Sequence, residues 1–191
     1  MENIIIGKNE IHKNAKLVAL NYVENSKVGK NACLYGCRII NSIIEENVVA
    51  TNSVIENSVI KMGTTVGPFA YLRENSQIGK NCRIGDFVEI KNSKIKDGTK
   101  CAHLAYVGDA SVGKNCNIGC GTVFANYNGK IKQKIVVKDE TFIGANTNLV
   151  APLCIGKKCF IGAGTTIKKN IKDFTFVCGK VENKCAKNKQ C

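Results

Sequence analysis

Apolar residues recur every six positions along much of this chain. Ile78, Ile84 and Ile90 form one run, and Ile143, Leu149, Ile155, Ile161 and Ile167 form a longer one, with Val112 and Ile118 between them. Glycine directly follows many of them, as in Ile78-Gly79, Ile118-Gly119, Ile143-Gly144 and Ile161-Gly162. An α-helix repeats its buried face every ~3.6 residues and a strand every ~2, so a sustained period of six belongs to a repeat architecture. Six is three strand alternations, so the same side of the strand faces inward in each repeat while a turn separates short strands. Three such hexapeptides close one triangular coil, and stacked coils bury their Ile/Val ladders along a common axis. The predicted fold is all-β, a parallel β-helix of hexapeptide repeats.

The first third follows the same plan less regularly. RIINSIIEENVVATNSVIENSVI steps by five or six residues, with scarcer glycine. The pattern predicts one β-helix domain over residues 1–171, with less regular coils over 1–66 and the regular, site-bearing coils over 67–171. A short C-terminal tail, 172–191, loses the period. Two features depart from the prism. Gly67-Pro68-Phe69-Ala70 is a rigid turn ahead of Tyr71-Leu72-Arg73. The polar segment NYNGKIKQK lies between Ile118 and Val137, ladder residues 19 apart where 18 would keep register, so it is expected to project as an extruded loop.

Composition changes this picture little. The net charge of +13 comes from 25 Lys and 3 Arg, scattered in turn-like positions such as IGKN and VGKN. No arginine cluster, stacking aromatic motif or basic helix accompanies them, so nucleic acid is not an expected partner. Eleven cysteines without a signal peptide read as reduced thiols, hence a cytoplasmic location. Cys82, Cys116 and Cys159 each precede a ladder residue by two positions, where a small side chain packs in the coil wall. With only His12 and His103, no zinc site of usual spacing can be assembled, and no metal is expected. No apolar run approaches the roughly 20 residues of a membrane span.

Chemistry concentrates between Cys101 and Lys132, where a histidine sits inside the repeat and a loop interrupts it. If one coil takes about 18 residues, stacking gathers Arg73, Lys91, His103, Tyr106 and Asn117 along one edge of the prism. Two fixed cations, an imidazole and an amide suit a phosphorylated sugar beside a general base.

The motifs GPFAYLRENSQIGKNCRIGDFVEIKNSKI, HLAYVGDASVGKNCNIGCGT, NYNGKIK and IGANTNLVAPLCIGKKCFIGAGTTI carry a resemblance over about 105 residues. They are similar to the acetyltransferase domain of the bacterial bifunctional N-acetylglucosamine-1-phosphate uridylyltransferase/glucosamine-1-phosphate acetyltransferases. The resemblance implies a left-handed β-helix that works as a homotrimer, with sites between subunits. It implies N-acetyl transfer from acetyl-CoA, as co-substrate, to the amino group of glucosamine 1-phosphate or a close relative, on the way to UDP-N-acetylglucosamine. His103 would be the general base. Arg73, Lys91 and Lys132 would hold the sugar phosphate, and Tyr106 and Asn117 the sugar. Asn126 and Tyr127, with the backbone around Cys120, would meet the acetyl end of coenzyme A, Asn126 and backbone N–H groups stabilising the oxyanion. Ala145, Ala163 and Lys180 would lie along the pantetheine and phosphates. Ala145 stands where the family usually has serine, Cys120 where it has alanine and Lys180 where it has arginine, all on the coenzyme A side. The family's nucleotidyltransferase domain has no counterpart here, so uridylyl transfer is not expected.

Two other readings remain open on the sequence. One is an acyltransferase with a carrier-protein donor or a nucleotide-sugar acceptor. The other is a non-catalytic scaffold, against which the polar set speaks, since a scaffold needs none of it. A hexapeptide carbonic anhydrase, which needs three histidines, is excluded. Physics alone favours assembly, because three flat-faced prisms bury their edges in a closed ring of about 62 kDa, three times the 20.7 kDa chain.

Overall fold

The computed structural model describes residues 2–179, and within them every regular element is a short strand. The strands form three parallel sheets of ten, nine and ten members, and each sheet takes every third strand along the chain until the last coil, where the second face is represented only by the bridge of Ile171 to Ile155. This is the three-faced solenoid of a left-handed β-helix. The first face begins with Ile4–Ile6, the second with Glu10–Ile11 and the third with Lys16–Val18. The chain visits the faces in that order in every coil.

The six-residue ladder is the core. Ile78, Ile84, Ile90, Val112, Ile118, Ile143, Leu149, Ile155, Ile161 and Ile167 are all buried, each stacked on its counterpart one coil away. Cys82, Cys116 and Cys159 are buried in the wall as expected, and the Sγ–H of Cys82 points at the Lys96 carbonyl oxygen at 3.2 Å. Glycine after a ladder residue reflects crowding at the corner. A Cβ on Gly144 would lie 2.4 Å from the backbone nitrogen of Ala163 in the next coil.

The irregular first third closes its coils by another device. Asn41 and Asn57 take left-handed backbone (φ 47° each), and the serines after them turn inward. The Ser42 and Ser58 hydroxyls donate to the carbonyls of Ile40 and Glu56 at 2.7 Å, while Ser42 Oγ accepts the Ser58 backbone N–H. These coils step by 16 residues, against 17 or 18 further on. An Asn-Ser corner thus spans one residue fewer than a hexapeptide, five from Ile39 to Ile44, and keeps its buried backbone paired.

Two boundaries differ from the sequence expectation. Ile118 stacks on Cys101 and Ile143, and Val137 stacks on Val112, so the loop-bearing coil steps by 25 residues. The comparison of Ile118 with Val137 crossed between two faces and understated the insertion. The solenoid also runs past residue 171: Phe176–Val177 adds a strand to the third face, beside Phe160–Ile161. The aromatic ladder Phe142–Phe160–Phe176, with ring centroids 4.8 and 5.1 Å apart, carries it there.

Candidate functional site

Three structural columns meet around His103. The histidine ends the third-face strand Lys100–His103, at the corner leading to the first face. Asp86 lies directly beneath it in register, its Oδ1 2.6 Å from His103 Nδ1. The chain directions above continue the column. The Gly121 N–H donates to the His103 carbonyl, Asn146 N–H to Cys120 and Gly164 N–H to Ala145. Cys120, Ala145 and Ala163 are therefore stacked in that order over His103, a strip of small side chains climbing the corner. Lys180 lies outside the described residues.

Immediately after this column the backbone is left-handed at residues that disfavour it: Phe69 (φ 58°), Phe87 (φ 54°) and Leu104 (φ 46°). Bulky side chains in that region carry strain. All three are also more than half exposed, and the Phe69 and Phe87 rings stack at 5.6 Å. An apolar ridge thus runs alongside the histidine.

The cations occupy the first face. Arg73 stacks on Lys91, and Lys91 on Gly108. Glu89 accepts from Arg73 Nε at 2.9 Å and Nη2 at 2.6 Å, and Glu74 bridges Arg73 and Lys91, 3.4 Å from Lys91 Nζ. Lys91 is only 7% exposed. The extruded loop folds back through an antiparallel bridge between Tyr127 and Lys132, which sets the Lys132 amine against that of Lys91. The neighbouring Lys132 amine, and then the Glu74 carboxylate, hold Lys91 above the ordinary lysine range, against the effect of burial. The same contact, together with the charge of Lys91, pushes Lys132 below that range. Two amines forced together in this way attract an anion.

Tyr106 begins the next first-face strand, and its ring lies across the sheet because Gly108 leaves room. A Cβ on Gly108 would stand 2.3 Å from the phenolic oxygen. Asn126 closes the far corner, with its amide nitrogen donating to Asp109 Oδ2 and, at 3.4 Å, to Tyr106 Oη. Asp109 also accepts from Asn92 Nδ2 at 2.6 Å. Both Asn126 N–H bonds are thus committed, and its side-chain carbonyl is the group left to face a ligand. That revises the expectation that Asn126 donates to an oxyanion. Tyr127 is exposed, its hydroxyl donating to the Gly129 carbonyl at 2.7 Å.

The single-edge expectation is also revised. Arg73, Lys91 and Tyr106 share the first face, with Asn126 at its far corner, Lys132 on the loop beside it and His103 at its near corner. Asn117 pairs instead with Lys100, at the opposite end of the third-face strand from His103. The coil partner of His103 is Cys120, because the step here is 17 residues and Asn117 is only 14 away. Asp86 and Asp109 were missed as site residues. Asp86 is one 17-residue step from His103, and Asp109 the same step from Asn126, a spacing visible only once the coil length is fixed.

The chain is 51% identical over 162 residues to the bifunctional protein GlmU of Thermodesulfovibrio yellowstonii, and 52% identical over 166 residues to GlmU of Clostridium beijerinckii. These alignments cover 84% and 86% of the chain. Over that span the chain is similar to GlmU. It spans about a third of the length of these relatives, 36% in each case, and matches their acetyltransferase portion. The sequence profile of the GMPPB C-terminal domain matches residues 59–140. Among solved structures, UDP-N-acetylglucosamine acyltransferase from Campylobacter jejuni superposes with a TM-score of 0.60 over 87% of this chain and 70% of that one, at 17% identity. That likeness concerns the hexapeptide-repeat fold, which GlmU-like and distant acyltransferase chains share.

Proposed function

We propose that this chain transfers the acetyl group of acetyl-CoA directly to the amino group of an amino-sugar 1-phosphate, with glucosamine 1-phosphate as the first candidate. The observation that carries this reading is the juxtaposition on GlmU-like coils of an imidazole, a lysine pair primed for an anion and a strip of small residues. His103 takes the proton that the sugar amine must lose before its nitrogen can attack. The Asn126 carbonyl accepts an N–H of that amine and turns its lone pair towards the corner column. Lys91 and Lys132 hold the phosphate, with Arg73 beside them once Glu74 and Glu89 share its donors. Tyr106 packs against the sugar.

The strip Cys120–Ala145–Ala163 suits an extended, narrow chain such as a pantetheine arm, since larger side chains would fill the corner. The co-substrate supplies an activated thioester. The oxyanion that forms on it falls to backbone N–H groups around Cys120, each such donor commonly being worth about 3 kcal/mol. Burial pushes the Cys101 thiol up to about 12, so this thiol is no nucleophile near neutrality.

A homotrimer in the cytoplasm completes the reading. The apolar ridge of Phe69, Phe87 and Leu104 beside His103 is the surface a neighbouring copy would cover, and Asn117 joins a site only across such an interface. One domain carries all of this, with no helix among the described residues long and apolar enough to cross a membrane.

The test is thiol release from acetyl-CoA with glucosamine 1-phosphate, glucosamine and UDP-glucosamine in parallel. Turnover with the 1-phosphate alone, lost in His103→Ala at unchanged trimer mass, is the expected result. Turnover only with the nucleotide sugar would transfer the reading to that acceptor, and silence with all three would overturn it. Acetylated enzyme accumulating in a quenched burst would replace direct transfer by a covalent route.

A further inference from the structure

We propose that Asp86 is the positioning residue for His103, holding its proton on Nδ1 so that Nε2 is the basic nitrogen. This rests on the reading of His103 as the base. An ionised carboxylate can only accept, so an oxygen 2.6 Å from Nδ1 requires the proton to sit on that nitrogen.

Three further observations support the assignment. The contact is built into the fold, since Asp86 and His103 are register partners on adjacent strands, each followed by a left-handed residue that sets the corner. The other carboxylates of the site are committed elsewhere. Glu89 accepts two bonds from Arg73, Glu74 is shared by Arg73 and Lys91, and Asp109 accepts from Asn92 and Asn126. The second histidine supplies an internal contrast. His12 Nδ1 accepts the Asn14 backbone N–H at 3.1 Å, so its proton belongs on Nε2. One chain therefore holds two histidines in opposite tautomers.

The function of the bond follows from where His103 stands. Its side chain is 52% exposed, so packing does not fix the ring and free rotation about χ2 would exchange the two nitrogens. An imidazole with its proton on the outward nitrogen cannot take another from the amine. The Asp86 bond removes that unproductive tautomer and leaves one basic nitrogen directed away from the coil below.

Long-range proton–nitrogen correlation on the uniformly 15N-labelled full chain, at a pH where both rings are neutral, reads the tautomers directly. His12→Gln assigns the two sets of signals. The expected result is Nδ1–H for His103 and Nε2–H for His12. Asp86→Ala should shift His103 towards Nε2–H and lower kcat by about 10- to 100-fold, less than for a buried orienting carboxylate. KM for both substrates should stay within about twofold, since Asp86 binds neither. The melting temperature should hold, because Asp86 is itself a third exposed. His103 already bearing its proton on Nε2, or an Asp86→Ala chain with unchanged tautomer and kcat, overturns the assignment. A chain that transfers no acetyl group yet shows both tautomers as expected overturns the functional reading and upholds the Asp86–His103 lock.

Discussion

Gly108→Ala separates the site from the scaffold beneath it. Gly108 sits above Lys91 on the first face with an ordinary strand backbone, so alanine needs no change in φ. Its Cβ, however, would lie 2.3 Å from Tyr106 Oη, 2.6 Å from Tyr106 Cζ and 2.7 Å from Asn126 Nδ2. Non-bonded contact begins near 3.5 Å, so the phenol must retreat by about 1 Å and the Asn126 amide by somewhat less. Tyr106 is half-buried and Asn126 buried, but all three atoms are side-chain ends outside the hydrophobic core cluster and can shift without disturbing it. The folding cost should therefore stay below about 1 kcal/mol. The site is less forgiving. A displacement of about 1 Å in groups that place the acceptor costs on the order of 100-fold, or roughly 2.7 kcal/mol in transition-state stabilisation. Steady-state kinetics with a varied amino-sugar phosphate, beside a urea titration, reads both quantities. Wild-type kcat/KM in Gly108→Ala would refute the placement of Tyr106 and Asn126 around the acceptor. A large loss of stability would show that the overlap falls on the framework.

The same substitution one face away should do the reverse. In Gly144→Ala the new Cβ meets backbone, 2.4 Å from Ala163 N and 2.8 Å from its Cα, and the expected loss is about 2–4 kcal/mol, seen as a lower urea midpoint. Lys132 is held below the ordinary lysine range by Lys91, so a phosphate dianion seated between them should raise it again and draw a proton from solution. Calorimetry in two buffers of different ionisation enthalpy should show uptake just below the ordinary lysine range, lost in Lys132→Ala; buffer-independent heats there would refute it. Cys101 is fully buried with its thiol pushed up to about 12, whereas Cys120 is exposed. Alkylation followed by mass spectrometry should label Cys120 early and leave Cys101 intact while the chain is folded.

Much of the fold was legible because its signal is periodic. A ladder residue is buried wherever the period puts one, so Ile143 to Ile167 located the three faces without any coordinates. The Asn-Ser coils were harder, since their step of 16 depends on a left-handed asparagine and an inward serine hydroxyl. The end of the solenoid was misjudged at residue 171 because Phe176 and Val177 continue it by aromatic stacking instead of by the Ile-Gly pattern.

The sequence by itself determined that this chain is a β-helix whose motifs are similar to GlmU, and it singled out the side chains proposed to carry its chemistry. A six-residue period and motif identity are properties of order along the chain. Only the tertiary structure decided how those side chains meet. Contacts in a solenoid run between coils, and the step between coils varies from 16 to 25 residues with every turn and insertion. An error of three residues in that step exchanges Cys120 for Asn117 above His103. Nothing local fixes the step: it emerges when ladders, glycine corners and the projecting loop are satisfied together. Asp86 beneath His103, the committed amide of Asn126 and the lysine pair all depend on it.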